Sequence, residues 1–444
     1  MITAKLKHLL TNRDEVRLQK FMRSSQYWSE EEVRAHQRVK LTKLLVHASE
    51  RVPYYQKLFK ELGAHPSDFS ELETFKTFPV LTKSIIRENF EDLISTDASE
   101  RGLIKNSTGG STGEPLVFYQ DRRFHAFADA ARIRGWYEAP GFKAGETMGV
   151  IWGDMRDVGD DYSASQRIAT VLRSGEVLLN AFNLSEERMY RFYRWLCLFS
   201  PKLLRGYVTA LVDFAAFLER RGLALPTVKG VVLCAETVSP EVQRYLERVI
   251  GAPSYNTYGG RELSLIAFEC GAKMGLHEVS ENNLVEFEPI ETSHAENLCE
   301  IVVTNLNNYA MPFIRYKLGD LGVPSKKGEC SCGRGLPLIE RIVGRTTEVM
   351  RFADGTAIAG EMFIHLMKDI GLRQYQFVQQ DENSVTLRMH RDEALDGTLV
   401  NRIREVYVPF LPSSVKLKIE PVECFNKTLT GKFRFVFSEI ARDD

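Results

Sequence analysis

Apolar side chains along the chain first follow a helical period, then alternate between strand-like and helical runs, and finally form short strands. Between residues 31 and 62 they recur at helix-like intervals, and Pro53 interrupts the pattern. The apolar positions of this stretch are Val33, Val39, Leu41, Leu44, Leu45 and Val46. A helical N-terminal region is therefore predicted, followed by another helix led by Thr82.

The middle of the chain, from 145 to 260, alternates strand and helix patterns. Apolar runs at 148–152, 231–234 and 254–258 predict strands, and the run at 231–234 is typical of a strand buried on both faces. Ser185 and Ser239 are predicted helix N-caps, and Gly222 ends a helix that begins at Thr209. This β-α-β-α-β order predicts a parallel sheet.

Short strands separated by polar turns are predicted from residue 284 onward, at 284–287, 300–303 and 313–316. The C-terminal part of the chain has a small α+β pattern. We therefore predict an α/β protein with two domains. Residues 1–344 form a large domain that combines parallel sheets with a β-rich portion, and residues 345–444 form a small α+β domain.

Composition narrows the classes of function. The chain has 444 residues, of which 44% are hydrophobic and 26% charged, as in ordinary globular proteins. Its formal net charge of −1 provides no field for nucleic acid or an acidic membrane, so neither partner is expected. The N-terminus has no signal-peptide core and no apolar run could span a bilayer, which predicts a cytoplasmic protein. The seven cysteines are then thiols or metal ligands rather than disulfides.

A glycine- and hydroxyl-rich run at 106–115 is the strongest candidate for phosphate binding. Glycines let backbone N–H groups approach a ligand, and hydroxyls add donors that rotate to follow phosphate oxygens. The run is not a P-loop, because Gly113 is followed by Glu114 and a predicted strand rather than by lysine and a helix. Taken alone, the run is equally well a surface turn.

Three further segments carry candidate chemistry. Tyr258 and Glu262 follow a predicted parallel strand, where a ring can stack on a base and a carboxylate can hold Mg²⁺. Asp320 follows another strand and suits a ribose diol, and Lys432 lies on a glycine turn near the C-terminus. Each alone is also explained as a turn or a solvated lysine.

In this order, the four segments resemble the adenylate-forming ligase superfamily. The likeness is greatest to its phenylacetate–CoA ligase, coenzyme F390 synthetase and CapK group, and it extends to residues 52–55, 79–83, 332–337 and 344–345. It implies an acyl-CoA synthetase-like fold in which the C-terminal domain is a mobile lid. It also implies that a carboxylate attacks the α-phosphate of MgATP to give acyl-AMP and pyrophosphate. A second nucleophile, often the thiol of CoA, then displaces AMP.

The resemblance also implies roles for individual residues. Glu262 would bind Mg²⁺, Asp320 and Arg345 would bind the ribose hydroxyls, and Lys432 would reach the carboxylate and α-phosphate. Residues implied for the β- and γ-phosphates are Ser107, Thr108, Gly109, Gly110, Ser111, Thr112 and Gly113. Residues implied at the adenine are Ala235, Glu236, Tyr258, Gly259 and Gly260.

Two positions depart from the family pattern. Arg261 replaces a small hydroxyl residue near the reacting groups, as an anion clamp or as a solvent-facing side chain. Thr347 replaces the aspartate that is frequent at the hinge, and this weakens the transfer of the CoA step. CoA, an amine, a carrier-protein thiol and a sugar amine all stay open as acceptors, and both departures favour a biosynthetic role such as polysaccharide synthesis.

Two other functions stay open beside carboxylate activation. Adenylyl transfer to a hydroxyl would leave AMP on the product, as in F390 synthesis, and a non-catalytic homologue would only bind the nucleotide. The joint presence of Glu262, Asp320 and Lys432 argues against the second. The acyl pocket is expected among 148–160, 205–210 and 234–262, where Trp152, Tyr207 and Arg205 are lining or core residues. The sequence also leaves a homodimer open.

Cys270, His277, Cys330 and Cys332 suit a structural zinc site. Three thiolates and an imidazole are the ligands of closed tetrahedral zinc, although Cys-x-Cys is tighter than the usual Cys-x₂-Cys spacing. The alternative is four unrelated residues. A metal here would fasten two β-rich loops, which we expect beside the active site because both follow nucleotide-binding segments, and it would have no catalytic role.

Overall fold

An eleven-stranded sheet organises most of the described chain. The computed structural model describes residues 13–108, 115–143, 145–153, 164–291, 297–326, 328–367, 370, 375–390, 397–423, 425 and 435–440. Its α-helices are α1 Arg13–Ser25, α2 Glu30–Arg51, α3 Pro53–Leu62, α4 Leu72–Phe75, α5 Lys83–Glu88, α6 Arg122–Ile133, α7 Ala164–Ser174, α8 Glu186–Phe199, α9 Val208–Arg221, α10 Pro240–Ile250, α11 Gly360–Met367 and α12 Gly397–Tyr407. Short 3₁₀ turns are Pro66–Phe69, Ala98–Arg101 and Thr346–Glu348, and Arg134–Glu138 is π-helical.

The strands fall into one large sheet and three small ones. They are β1 Ile104–Ser107, β2 Val117–Gln120, β3 Met148–Trp152, β4 Glu176–Asn180, β5 Leu203–Tyr207, β6 Gly230–Cys234, β7 Ser254–Gly260, β8 Ser264–Glu269, β9 Leu276–Glu278, β10 Asn283–Pro289, β11 Cys299–Asn305, β12 Tyr316–Pro324, β13 Leu338–Arg345, β14 Val349–Arg351, β15 Ala357–Ala359, β16 Tyr375–Asp381, β17 Ser384–His390, β18 Lys416–Val422 and β19 Val436–Ser438. The large sheet has the order β10-β11-β12-β13-β9-β8-β7-β6-β5-β3-β4.

Strand β7 joins a parallel half of the large sheet to an antiparallel half. Its first residues pair in parallel with β6, and its last residues pair antiparallel with β8. Strands β3 to β6 are all parallel, as the alternating pattern predicts, and β8 to β13 are antiparallel. The carboxyl ends of the parallel strands therefore lie on the same edge of the sheet as the β7–β8 turn. The candidate site lies at this edge.

Local signals in the sequence predict four of the helix boundaries. Ser185 caps α8, and Ser239 caps α10 with Pro240 in its first turn. Gly222 ends α9 with a φ of +61°, a conformation that glycine adopts at little steric cost. Thr82 caps α5, as predicted. These four predictions are confirmed because each rests on a backbone group that the terminal side chain or glycine must satisfy.

Two features differ from the sequence prediction. In α2, Val39 and Val46 are 55% and 36% exposed, whereas the other four apolar positions of the predicted face are buried. The predicted strand at 313–316 is wrong, since β12 begins only at Tyr316. Arg315 has a φ of +48°, and its guanidinium is held by Glu286 at 3.1 Å and Glu288 at 2.8 Å, so the backbone turns there before it becomes extended.

The C-terminal elements have a sheet and an apolar core of their own. Strands β18-β17-β16-β19 form a four-stranded sheet against α11 and α12. Phe363, Phe377, Leu387, Tyr407 and Val436 are in its core. A large α/β part with a small α+β part is therefore confirmed as the fold class. In the part of the chain that the structure describes, no helix has the length and apolar character needed to cross a membrane.

Candidate active site

Asp320 is the centre of a cluster built by three strands of the large sheet. Its Oδ2 accepts a hydrogen bond from the Tyr258 hydroxyl at 3.0 Å, and its Oδ1 lies 3.1 Å from Nε of Arg345. Asp320 and Arg345 are direct partners in the β12–β13 ladder, and Tyr258 comes from β7. The structure thus brings together three side chains that the family resemblance assigns to the nucleotide.

The charges of this cluster act on its neighbours. Burial raises the pKa of the Tyr258 phenol well above its usual value, and the Asp320 carboxylate raises it further. The same carboxylate raises the pKa of the Arg345 guanidinium. Tyr258 is therefore a neutral donor and Arg345 a permanent cation, and both hold Asp320 in one orientation.

Glu262 lies beside this cluster and contacts Tyr316. The Tyr316 hydroxyl is 3.4 Å from Oε1 of Glu262, and the tyrosine is fully buried. Burial raises the pKa of Tyr316, and the charge of Glu262 raises it further. The sequence interpretation missed Tyr316, although its position four residues before Asp320 on one strand places both on the same face.

Gln120 is a second residue that the sequence interpretation missed. Its Nε2 donates to the carbonyl oxygens of Arg261 at 2.8 Å and Glu262 at 3.2 Å, and its Oε1 accepts from Nδ2 of Asn106 at 3.2 Å. The side chain is completely buried. It therefore connects the start of the glycine- and hydroxyl-rich run to the backbone of Glu262. A glutamine inside a short strand gives no signal of this kind in a sequence.

The glycine- and hydroxyl-rich run begins and ends on a β-hairpin. Ser107 pairs with Val117 in the β1–β2 ladder. Thr108 adds a backbone bond to the Leu116 carbonyl and accepts from the Leu116 amide, each at 2.9 Å. The prediction that the run enters a strand is confirmed. Gly109, Gly110, Ser111, Thr112 and Gly113 lie outside the described residues, so their role stays a prediction.

Gly259 has a structural reason to be glycine. A side chain there would collide with the carbonyl oxygen of Ser264 across the β7–β8 turn. At Gly260 a Cβ would lie 3.1 Å from Oε2 of Glu262. Both glycines therefore keep the Glu262 turn tight, and a contact with the nucleotide stays a prediction.

Ala235 and Glu236 follow β6 at the carboxyl edge of the sheet. Ala235 has a φ of +66°, which turns the chain sharply after the strand. The Glu236 carboxylate accepts from the amide of Thr209 at 2.7 Å and from its hydroxyl at 3.0 Å, so it caps the N-terminus of α9. This fastens the ends of β5 and β6 together, and an adenine contact of either residue stays a prediction.

Arg261 is partly buried next to Glu262. Burial lowers the pKa of its guanidinium, and the charge of Glu262 opposes this shift. Arg261 thus lies at the turn that carries Glu262 and the Gln120 contacts, and its role as an anion clamp stays a prediction. Lys432 lies outside the described residues, so its catalytic assignment also stays a prediction.

Aromatic side chains lie where the order of the parallel strands reverses. The order β4-β3-β5-β6-β7 places this switch between β3 and β5, where open α/β sheets bind their ligands. Trp152 ends β3 and Tyr207 ends β5, with ring centroids 4.6 Å apart. Arg205 is buried under them, with its guanidinium 4.1 Å from the Trp136 ring and 5.1 Å from the Trp152 ring. Trp152 and Tyr207 therefore lie at the ligand edge and Arg205 in the layer below.

The four predicted metal ligands also lie together. The sulfur atoms of Cys270, Cys330 and Cys332 and a ring nitrogen of His277 are all within 4.8 Å of one another. Cys270 and His277 are completely buried, and Cys332 is partly exposed.

Comparison with known proteins shows which proteins this chain is similar to. No protein-family model matches the chain. Phenylacetate-coenzyme A ligase of Pseudomonas putida is 27% identical over 305 residues, which span 65% of this chain and 66% of that protein. The corresponding enzyme of Thermus thermophilus is 24% identical over 336 residues, or 72% of each chain. Protein CapK of Staphylococcus aureus is 22% identical over 374 residues, or 82% of this chain and 80% of CapK.

Solved structures share the fold. A 2-hydroxyisobutyryl-CoA ligase in its postadenylation state, in complex with R3-HIB-AMP, superposes with a TM-score of 0.72 at 20% identity over 93% of this chain and 90% of that one. An anthranilate CoA ligase in complex with anthranoyl-AMP superposes with a TM-score of 0.54 at 11% identity over 74% and 64%. The fold is that of the acyl-CoA synthetases. Over 65% to 82% of its length, the chain is similar to phenylacetate-coenzyme A ligases and to CapK, at 22% to 27% identity.

Proposed function

We propose that this protein activates a carboxylic acid with MgATP, releases pyrophosphate, and transfers the acyl group to the thiol of CoA. The observation that carries the proposal is the preformed cluster of Tyr258, Asp320 and Arg345 with Glu262 beside it. A scaffold that only holds a fold together has no need of two carboxylates at one sheet edge, each oriented by a buried tyrosine. Two of the three named relatives are phenylacetate-coenzyme A ligases, which supports CoA as the acceptor.

Asp320 and Arg345 are the proposed ribose ligands. An ionised carboxylate accepts up to about four hydrogen bonds, so Asp320 can accept from ribose hydroxyls while it keeps Tyr258 and Arg345. Since the two partners already fix its orientation, little entropy is lost when the nucleotide binds. Ala235, Glu236, Tyr258, Gly259 and Gly260 are the proposed wall of the adenine site.

Glu262 is the proposed ligand of Mg²⁺. A carboxylate is the hard oxygen ligand that this ion prefers, and Tyr316 and the Gln120 contacts hold the residue in place. When bound, the ion neutralises charge on the phosphates. Gln120 also links this turn to the hairpin stem, so the proposed phosphate loop, Ser107 to Gly113, and the proposed metal ligand share one support.

Lys432 is proposed to provide the remaining positive charge. It would contact the substrate carboxylate and the α-phosphate, where negative charge builds as the carboxylate oxygen attacks phosphorus and pyrophosphate leaves. In the second step the CoA sulfur attacks the acyl carbonyl and AMP leaves. We propose that residues 345–444 act as a lid that exchanges Lys432 for CoA between the steps, and that Arg261 stabilises the anionic groups in the first.

The acyl group is proposed to bind at the strand-order switch, against Trp152 and Tyr207. Two adjoining aromatic rings at the ligand edge favour an acid with a compact apolar or aromatic tail. Arg205 is not proposed to contact it, because the guanidinium is buried below Trp152 and pairs with Glu176 at 3.4 Å.

The products distinguish this function from adenylyl transfer to a hydroxyl. Purified protein is incubated with ATP, Mg²⁺, CoA and an arylacetic or branched hydroxy acid, and the products are identified by mass spectrometry. We expect AMP, pyrophosphate and the CoA thioester in equal amounts. A product that keeps the AMP moiety on a hydroxyl compound, with no thioester, contradicts the proposal.

A further inference from the structure

A buried group of three cysteines and one histidine lies at the end of the antiparallel half that is remote from Asp320. Cys270 directly follows β8, His277 is in β9, and Cys330 and Cys332 lie in the loop that precedes β13. The four residues come from two separate parts of the chain, and the β9–β13 pairing of His277 with Leu338 brings these parts together. This group is separate from the proposed substrate site, so it needs its own explanation.

Two distances within the group match those between ligands of one tetrahedral zinc ion, and all four ligand atoms lie within 4.8 Å of one another. Zinc–sulfur bonds of about 2.3 Å and zinc–nitrogen bonds of about 2.0 Å place tetrahedral ligands roughly 3.8 Å apart for two sulfurs and roughly 3.5 Å apart for sulfur and nitrogen. Here the sulfurs of Cys270 and Cys330 are 3.7 Å apart, and the Cys332 sulfur is 3.4 Å from Nε2 of His277. Both sulfur–sulfur and sulfur–nitrogen separations are those of ligands around one ion. A disulfide would need about 2.05 Å.

The histidine also has the partner that a metal ligand requires. Nδ1 of His277 lies 3.5 Å from the carbonyl oxygen of Leu336, while Nε2 faces the Cys332 sulfur. A backbone carbonyl at the far nitrogen fixes the tautomer that leaves Nε2 for a metal. Cys332 is the partly exposed member of the group and provides a route for entry from solvent.

From this geometry we propose that Cys270, His277, Cys330 and Cys332 bind one structural Zn²⁺. Thiolates and imidazole form a donor set that selects zinc over Mg²⁺, which takes oxygen ligands. Four protein ligands fill the tetrahedral shell, so the ion has no open position for a substrate or water. The site is independent of the carboxylate chemistry proposed above.

The ion connects the end of β8 to the loop that precedes β13. The opposite ends of these two strands lie next to Glu262 and Arg345, which are proposed ligands of MgATP. Strand β8 starts two residues after Glu262 and ends at Glu269, and β13 ends at Arg345. With 8 residues, β13 is roughly 24 Å long at about 3.4 Å per residue. We expected from the sequence that this group lies beside the active site, and this expectation is wrong. The length of β8 and β13 separates the cysteine and histidine group from Glu262 and Arg345.

The same loop supports the N-terminal helices. Nε of Arg334 donates to Oε1 of Gln26 at 2.7 Å, and the Gly335 amide donates to the Gln26 carbonyl at 3.0 Å. A side chain at position 335 would collide with the carbonyl oxygen of Trp28. The ion thus holds a loop on which β8, β13 and the α1–α2 connection all depend, and its loss should lower stability.

Metal analysis of the full-length protein tests the proposal. We expect about one zinc per chain for the wild type, retained through dialysis without chelator. Cys332→Ser should lose most of this zinc, whereas Cys197→Ser should keep it, because Cys197 is an exposed cysteine outside the group. Thermal unfolding of Cys332→Ser should occur at a lower temperature than that of Cys197→Ser.

A second measurement on the unmutated protein avoids dependence on the folding of the variant. Titration with a mercurial thiol reagent should release one zinc per chain to a chromogenic chelator, and reconstitution with Co²⁺ should give the visible bands of tetrahedral thiolate coordination. Wild-type protein with well under one zinc per chain and no such cobalt spectrum would overturn the proposal, as would full zinc content in Cys332→Ser. Stoichiometric iron instead of zinc would also overturn it.

Discussion

Nε2 of Gln120 donates to the carbonyl oxygen of Arg261 over 2.8 Å and to that of Glu262 over 3.2 Å, and these two contacts fasten the β1–β2 hairpin to the turn that carries Glu262. The glutamine is fully buried. Its contribution is positional: it fixes how far the proposed phosphate ligands lie from the proposed Mg²⁺ ligand.

Replacing Gln120 by leucine removes this connection while it keeps the side chain's approximate volume. We expect the free energy of unfolding to fall by about 1–3 kcal/mol, because buried carbonyls lose their donor. The rate of pyrophosphate exchange should fall about tenfold, because the phosphate ligands are misplaced. Urea denaturation and exchange assays check both effects.

Gln56→Leu is the matched control for Gln120→Leu. Gln56 is an exposed glutamine of α3 whose Nε2 donates to the carbonyl of Glu50 at 2.7 Å. This control should change neither exchange nor stability appreciably. Equal exchange rates in Gln120→Leu and Gln56→Leu would contradict the positional role.

Asp320→Asn tests the ribose assignment. The amide keeps the shape of the carboxylate but removes the charge that pairs with Arg345 and that we propose to accept from the ribose, so we expect KM for ATP to rise about tenfold to a hundredfold. Glu340→Gln is the control, because Glu340 lies on the neighbouring strand β13 and forms an exposed pair with Arg341 at 2.8 Å. If both variants have the wild-type KM for ATP, Asp320 does not bind the nucleotide.

Lys432→Ala tests the proposed transition-state cation. Loss of one preorganised charge contact should slow adenylate formation by about 10² to 10³-fold, while MgATP still binds. Calorimetric titration measures binding, and pyrophosphate exchange measures the chemical step. Lys418→Ala removes an exposed lysine of β18 and should leave both unchanged. An exchange rate near wild type in Lys432→Ala would remove this residue from the mechanism.

We predict that the buried Lys40 makes the free energy of unfolding depend on pH. Burial lowers the pKa of its ammonium from 10.5 to about 7, and its Nζ bonds Oδ1 of Asn307 at 2.6 Å. The folded state therefore binds fewer protons than the unfolded state between these pKa values, so stability rises with pH through this window. Between pH 7 and pH 9, the free energy of unfolding of the wild type should rise by on the order of 2 kcal/mol more than that of Lys40→Met.

Urea unfolding at pH 7 and pH 9 measures this difference. Comparison of the two proteins cancels the groups that titrate in both, so a constant offset between them reflects only the lost contacts of Lys40. Parallel pH dependence of the two proteins would show that Lys40 is charged in the folded state throughout the window.

The sequence predicted the architecture well where the signals are local. Ser239 with Pro240 and Gly222 each satisfy or replace a backbone group at one helix end, so a few residues decide the boundary. Cys270, His277, Cys330 and Cys332 were also predicted as a group, and the structure brings their ligand atoms within 4.8 Å of one another. The position of this group was wrong, because spacing along the chain does not give the length of the strands between two sites.

Long-range contacts between common residue types were beyond sequence reasoning. Gln120 contacts a carbonyl far along the chain, and Tyr316 contacts Glu262 across strands, yet neither residue type signals such a role. Arg315 was assigned to a strand by its apolar neighbours, but its backbone is left-handed and its guanidinium pairs with Glu286 and Glu288. Partners distant in sequence decide these three cases.

Acid-dependent exchange of labelled pyrophosphate into ATP tests the central claim most directly. The assay uses wild-type protein, MgATP and a panel of arylacetic, benzoic, branched and hydroxy acids without CoA, with Asp320→Asn and Glu340→Gln in parallel. We predict exchange well above the acid-free rate for at least one compact apolar or aromatic acid, a reduced rate in Asp320→Asn, and a wild-type rate in Glu340→Gln. Protein that binds MgATP but shows no exchange with any acid, or that exchanges equally without acid, would contradict carboxylate activation.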